Sequence, residues 1–126
     1  MMPSTKLITG TWAKSRSQAL LEALQRSIVT GLEVPEDDRD IIAEFIESEN
    51  RIVPSGHDRE KYTRIEILLY SGRELATKRR LYTEVINELT AFGLPKEEIK
   101  VILVEMPCDN WGIRGGIPGS EVDSAA

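Results

Sequence analysis

Three short stretches of this sequence put charged or aromatic side chains where a small acid could be handled. In Leu68-Leu69-Tyr70-Ser71-Gly72-Arg73 an apolar run ends in a Gly-Arg turn just before a helical pattern opens. A guanidinium there lies near a helix N-terminus, and both its fork of donors and the helix end favour an anion, typically a carboxylate. Pairing of Arg73 with Glu74 or another surface acid accounts for the same spacing. In Asp37-Asp38-Arg39 an acid stands just before a strand-like segment, where it could hold a water or, with a raised pKa, act as a general acid. A plain charged turn reads the same way. The third stretch, Asn110-Trp111-Gly112-Ile113-Arg114-Gly115-Gly116, combines an aromatic wall, a cation and glycines that permit close backbone approach. A hairpin at a subunit edge would use the same residues, and no Gly-Lys-Ser/Thr follows to make a phosphate loop. Pro3 is the fourth group of interest and the most open to test.

Other reactive side chains are sparse. His57 is the single histidine and Cys108 the single cysteine. His57 stands alone in a polar loop, no carboxylates lie at ligand spacing, and a metal site is not expected. Cys108 has no histidine near it in sequence, which weakens nucleophilic catalysis. Tyr62, Tyr70 and Tyr82 fall at strand and helix positions that suit core or rim.

The bulk numbers narrow the class. The 126 residues are 40% hydrophobic and 29% charged, so one domain spanning 1–126 is expected. A chain this short buries roughly two-thirds of its unfolded surface, so association with further subunits would help it. A net charge of −5, aromatics at 6% and no long basic run argue against nucleic acid as the main partner. Lys78-Arg79-Arg80 is read as a solvated helix face. One cysteine excludes a disulfide framework and fits a reducing compartment. No apolar segment approaches the ~20 residues of a membrane span, and the N-terminus has no signal-peptide core. The expectation is a soluble, cytoplasmic protein without membrane contact.

The elements that must position these residues follow from periodicity. Lys6–Thr9 is a short strand placed at a sheet edge, and Gly10 breaks it. From Ser15 to Gly31, Leu20, Leu21, Leu24 and Ile28 recur at helical spacing, with Ser15 or Ser17 as N-cap. Asp40–Glu47 alternates as a strand, and Ser48–Lys61 is a loop. Tyr62–Tyr70 is a second alternating strand. Glu74–Phe92 is a helix with Leu75, Leu81, Val85, Ile86 and Leu89 on one face. Ile99–Met106 is the last strand, and its Val101–Val104 run reads as buried on both faces. The tail from 119 to 126 is small and polar, and is expected to fray.

LEALQRSIVTGLEVPEDDRDIIAEF and LYTEVINELTAFGLPKEEIKVILVE share helix, proline turn, acids and strand, with Pro35 and Pro95 60 residues apart. The repeat halves run over about 3–50 and 62–116, too long for a solenoid. Two β-α-β units side by side make an α+β fold, with a four-stranded sheet and two helices on one face. The bare face then calls for subunit association. A ferredoxin-like plan has the same element order but interleaves the strands, whereas the repeat predicts parallel pairing within each half.

VPEDDR, LLYSGR, TKRRLY and above all EMPCDNWGIRGG resemble the tautomerase superfamily. The resemblance is to its long-chain members with two β-α-β units, near malonate semialdehyde decarboxylase and cis-3-chloroacrylic acid dehalogenase. It covers roughly Leu20–Asp123 and is strongest at NWGIRGG. It implies a compact homotrimer, no cofactor, and catalysis by an N-terminal proline freed from its initiator methionine. In such a site an apolar, cationic setting lowers the secondary amine from the free α-amino range (~7.7–8). Carried across, Pro3 is the base and Asp38 the aspartate beside it that is implicated in water activation. Arg73 binds the substrate's carboxylate, and Arg114 and Trp111 shape the pocket, whether from the same chain or from a neighbouring subunit. Three departures stand out. Ser71 replaces one of two arginines of the decarboxylase pattern. Met1-Met2 precedes Pro3, so either translation starts at Met2 and exposes Pro3, or the terminal amine is missing. The segment from Pro3 to the first helix is also a little shorter.

The expected activity is a tautomerase, moving a proton on a small 2-oxo or enol carboxylate. The alternatives are decarboxylation or hydration of a three-carbon acid, and a non-catalytic trimeric scaffold or small-acid-binding module.

Overall fold

The computed structural model describes residues 3–122. Its elements run β1 (Ser4–Gly10), α1 (Ser17–Leu32), β2 (Ile41–Ile46), β3 (Thr63–Tyr70), α2 (Leu75–Phe92), β4 (Ile99–Met106) and a small hairpin of β5 (Gly112–Ile113) and β6 (Ile117–Pro118). The main sheet has the order β2-β1-β3-β4. Each half pairs its own strands in parallel, Leu7 with Ala43 in the first and Ile65 with Val101 in the second. The halves join through the antiparallel pair β1–β3, with Leu7 opposite Ile65. Parallel pairing inside each half matches the repeat and rules out the interleaved ferredoxin-like plan.

β1 is therefore central, not an edge strand. Thr5, Leu7 and Thr9 are buried under the helices, and the Thr9 and Thr63 hydroxyls hydrogen-bond at 2.9 Å where the two inner strands meet. A short run of alternating residues does not reveal how many neighbours it will have. The edges are β2 and β4.

Both helices cover one face. Leu20, Leu24 and Ile28 of α1 and Leu81, Val85 and Leu89 of α2 close over Leu7, Ile65, Ile67 and Leu69. Arg26 pairs with Glu88 at 3.0 Å across the helix pair, and the Arg80 Nε donates to the Gly31 carbonyl at 2.9 Å. α1 opens at Ser17 after a 3-10 turn over Thr11–Arg16, with Arg16 at the N-cap position and no side-chain cap, so neither serine caps it. It ends at Leu32, one residue beyond Gly31, with Glu33 as C-cap in the left-handed region (φ 55°). Gly31 instead lets the two helices approach, since a Cβ there would lie 2.8 Å from the Leu81 Cα.

The opposite face is bare in the chain. Its β4 residues Ile102 and Val104 are 36% and 39% exposed, so the apolar run is buried on one side only. Ile42 of edge strand β2 also points outward, on the face that carries the pairs Lys6–Glu44 (3.7 Å) and Arg64–Glu66 (2.9 Å). At the C-terminal end, Gly119–Glu121 forms a 3-10 turn, and the Ser120 hydroxyl bonds to Asp109. Met1, Met2 and residues 123–126, with the fraying expected there, lie outside the described residues.

Gly31→Ala sets better helix propensity, ~1 kcal/mol, against overpacking at Leu81, about 1–3 kcal/mol. Overpacking wins because the contact is with backbone, so urea unfolding is expected to show a net loss of about 1–2 kcal/mol. An unchanged midpoint would mean the helices can part freely.

Candidate functional site

Antiparallel β1–β3 pairing puts the start of β1 beside the end of β3. Ser4 lies opposite Leu68, so Pro3, buried just before Ser4, is at the same end of the sheet as Tyr70 and the turn that follows it. Parallel β1–β2 pairing brings the start of β2 to that end too. The Thr5 amide donates to the Asp40 carbonyl at 2.9 Å, and the Ser4 hydroxyl donates to the Asp40 carboxylate at 2.7 Å. Parallel β3–β4 pairing adds the end of β4, Tyr70 facing Met106. Three strand pairings thus gather segments far apart in sequence.

Asp38 sits on the turn before β2. Its amide donates to the Pro35 carbonyl at 3.1 Å, and Gln25 of α1 donates from Nε2 to the Asp38 carbonyl at 3.2 Å. These bonds fix the backbone that carries the carboxyl. Partial burial raises the Asp38 pKa above the usual carboxylate range; Asp37 and Asp40 push the same way and the Arg73 guanidinium opposes them.

Arg73 follows Gly72, whose φ of 119° few other residues adopt. Its Nη1 donates to the Tyr70 carbonyl at 3.2 Å. Burial pulls the Arg73 pKa down, while Glu105 and Asp38 hold it up. The guanidinium remains charged in any case. Asp38 and Arg73 thus share one electrostatic environment.

Trp111 packs edge-on against Tyr70, ring centroids 5.2 Å apart at 75°, and its carbonyl accepts from the Gly119 amide at 2.7 Å. Its indole Nε1 is buried without a hydrogen-bond partner among the described residues. Arg114 is elsewhere. It is exposed at the tip of the β5–β6 hairpin with φ 50°, beside Gly115 at 83° and Gly116 at 100°. Within one chain the structure therefore groups Pro3, Asp38, Arg73 and Trp111 at one sheet end and holds Arg114 out on a projecting turn.

His57, expected to stand alone, meets the Glu98 carboxylate through Nδ1 at 3.1 Å and stacks edge-on against Tyr62. Among the described residues no three His, Cys, Asp or Glu side chains cluster to hold a metal. Two grooves of about 270 and 310 Å3 flank α1; the first reaches Arg39 and Asp40 and neither includes Arg73. Sequence reasoning missed Lys78 and Glu105, an ion pair at 2.7 Å beside the Arg73 turn. The available signal was Glu105 itself: it follows Val101 and Leu103 at the helix-facing parity of β4, where an acid is out of place.

A carboxyl whose folded pKa is raised costs stability once ionised, and the cost disappears as pH falls. Asp38→Asn is expected to match wild type near pH 3 and to gain on it as pH rises toward 7. The gain stays below about 1 kcal/mol, because the group is largely screened by solvent. Unfolding free energies across that range check this; a wild type that gains on the variant with rising pH would refute it.

Known proteins share this chain's sequence pattern and fold. The sequence profile of the Tautomerase_2 family, described as tautomerase enzyme, matches residues 37–114, a span that includes Asp38, Arg73, Trp111 and Arg114. Probable tautomerase RSp0893 of Ralstonia nicotianae is 33% identical over 57 residues, 44% of this chain and 80% of that protein. Among solved structures, FG41 malonate semialdehyde decarboxylase inhibited by 3-bromopropiolate superposes with a TM-score of 0.79 at 17% identity, covering 93% of each chain. A symmetric trimer of wild-type fused 4-OT gives 0.82 at 17% identity over 93% of this chain and 98% of that one. N1, a member of the cis-3-chloroacrylic acid dehalogenase family, gives 0.77 at 19% identity over 94% and 87%. At these identities the superpositions establish the shared fold, while the profile match over more than half the sequence establishes descent: the chain belongs to the Tautomerase_2 family of tautomerase enzymes.

Proposed function

We propose that this protein is a cofactor-independent tautomerase, moving a proton on a small 2-oxo or enol carboxylate. The supporting observation is the placement of Pro3, Asp38 and Arg73 at one sheet end, a buried proline and a guanidinium that acts electrostatically on Asp38. Arg73 binds the substrate carboxylate. Pro3, once Met1 and Met2 are removed, is a secondary amine whose burial and cationic neighbour favour the neutral, basic form. It takes the proton from the enol hydroxyl and returns it to carbon, so no net proton is gained or lost. The charge that builds on oxygen in between is stabilised by Arg73. Asp38, with its raised pKa, orders water or relays the proton. Trp111 gives this sheet end an aromatic side against Tyr70, and its indole N–H, without a partner among the described residues, is a donor for the ligand.

Assembly completes the picture. The bare sheet face, with Ile42, Ile102 and Val104 outward, suits packing against further copies. Fused 4-OT forms trimers, and we infer a homotrimer here, with Arg114 on its projecting turn reaching the corresponding sheet end of a neighbour. A single cysteine suits the reducing cytoplasm. No helix among the described residues is long and apolar enough to cross a membrane.

A second reading is favoured by the Met1-Met2 that precedes Pro3. While those residues remain, the Pro3 nitrogen is an amide without basicity, and the same anchor would serve a small-acid-binding module. Decarboxylation or hydration of a three-carbon acid, with Asp38 directing water, is a third, and malonate semialdehyde decarboxylases share the fold.

Intact mass and ketonisation of phenylenolpyruvate decide between them. Protein that begins at Pro3 should turn over the enol, and Pro3→Ala should lose at least about 10²-fold in kcat/KM, the scale of a general base. Full activity in Pro3→Ala, or in protein retaining both methionines, removes the amine from the mechanism.

A further inference from the structure

The proposed reaction leaves one half-buried ion pair beside the site without a part. Glu105 is the second-last residue of β4 and pairs with Leu69 of β3. It follows Val101 and Leu103 on the face that meets the helices, so its carboxylate projects under the opening turn of α2. There the Lys78 Nζ donates to its Oε1 at 2.7 Å, with the two side chains only 24% and 28% exposed. The adjoining backbone is tied to the same strand end, since the Ser71 amide donates to the Met106 carbonyl at 3.0 Å. The Thr77 and Lys78 amides donate to the Glu74 carbonyl at 3.1 and 3.2 Å, closing the first turn of α2. Ser71–Glu74, the segment that carries Arg73, is thereby held from β4 on one side and from α2 on the other.

An ion pair in this position is a poor choice for stability alone. Desolvating both partners offsets most of their attraction, and apolar side chains of similar size would serve a helix–strand contact as well. It does suit a neighbour that must stay charged while half-buried. Resting on the reading of Arg73 as carboxylate anchor, we propose that Glu105 is a positioning residue. Through Lys78 and the Ser71–Glu74 turn it fixes where the guanidinium points, and its negative charge steadies that cation until substrate arrives. Two electrostatic effects agree. Glu105 is the larger of the two carboxylate influences that keep Arg73 basic against burial. The Glu105 carboxyl is itself held below the usual range, first by its hydrogen bond from Lys78, with the Gly72 amide and Arg73 adding to it.

The test separates positioning from simple scaffolding. In the Pro3-initiated protein, Glu105→Gln and Lys78→Met should each raise KM for phenylenolpyruvate about tenfold with kcat within about threefold, and Glu105→Asp should restore most of the loss. Unchanged KM with a lowered Tm in both variants, or Glu105→Asp as poor as Glu105→Gln, would make the pair a strut and overturn the proposal. A binding measurement keeps this distinct from the activity. The Arg73 Nε–H signal in 1H–15N spectra, titrated with pyruvate, should saturate in wild type and need about tenfold more pyruvate in Glu105→Gln. Equal titrations overturn the positioning role alone. An Arg73 signal that pyruvate never moves in wild type removes the anchor, and this proposal with it.

Discussion

The antiparallel pairing of β1 with β3 is the contact on which the rest depends. Each half alone is a strand, a helix and a strand, with one side of its inner strand unpaired. Joining the inner strands back to back satisfies both sets of backbone donors and lets the two helices merge into one layer over one core. The same pairing fixes what lies next to what. Antiparallel register sets the first residues of β1 against the last residues of β3, so a proline near the start of the chain and an arginine from its middle come to the same end of the sheet. The site follows from register and needs no separate device to assemble it.

Much of this could be read in advance, for physical reasons that differ by element. β4 was legible over its full extent, Ile99–Met106, because an apolar run ending at Pro107 has few other interpretations. The duplication was legible because Pro35 and Pro95 each open the turn before an outer strand. The position of β1 was not. Seven residues of alternating burial look alike at an edge or in the centre, and only the partner strands decide. The cap of α1 was misread because two serines offered side-chain caps, whereas the chain enters the helix through a 3-10 turn anchored by Trp12, whose amide bonds to Glu60 and whose indole N–H bonds to Thr9.

The candidate site was legible by residue type and only in part by arrangement. Gly72-Arg73 suggested an anion anchor by residue type alone, and the structure adds what a linear pattern cannot carry: an electrostatic influence between Arg73 and Asp38 of the other half. Trp111 had an evident aromatic role, yet its contact with Tyr70 depends on β4 lying beside β3 and on a turn of buried Gly119 folding back. The Lys78–Glu105 pair joins a helix to a strand 27 residues away, a separation at which charge patterning along one element says nothing.

The 60-residue repeat gives the molecule two ends of matching design, and they have parted ways. Sixty positions after Pro3 stands Thr63, locked to Thr9, and sixty after Asp38 stands Glu98, buried and capping the His57–Asp58 bend through two hydrogen bonds. The long connection between the halves seals that far end so tightly that a Cβ on Gly10 would fall 2.1 Å from the Glu60 carbonyl. With the far end plugged, the single open end still draws on both halves, Pro3 and Asp38 from the first and Arg73 and Trp111 from the second, so neither half is released from it.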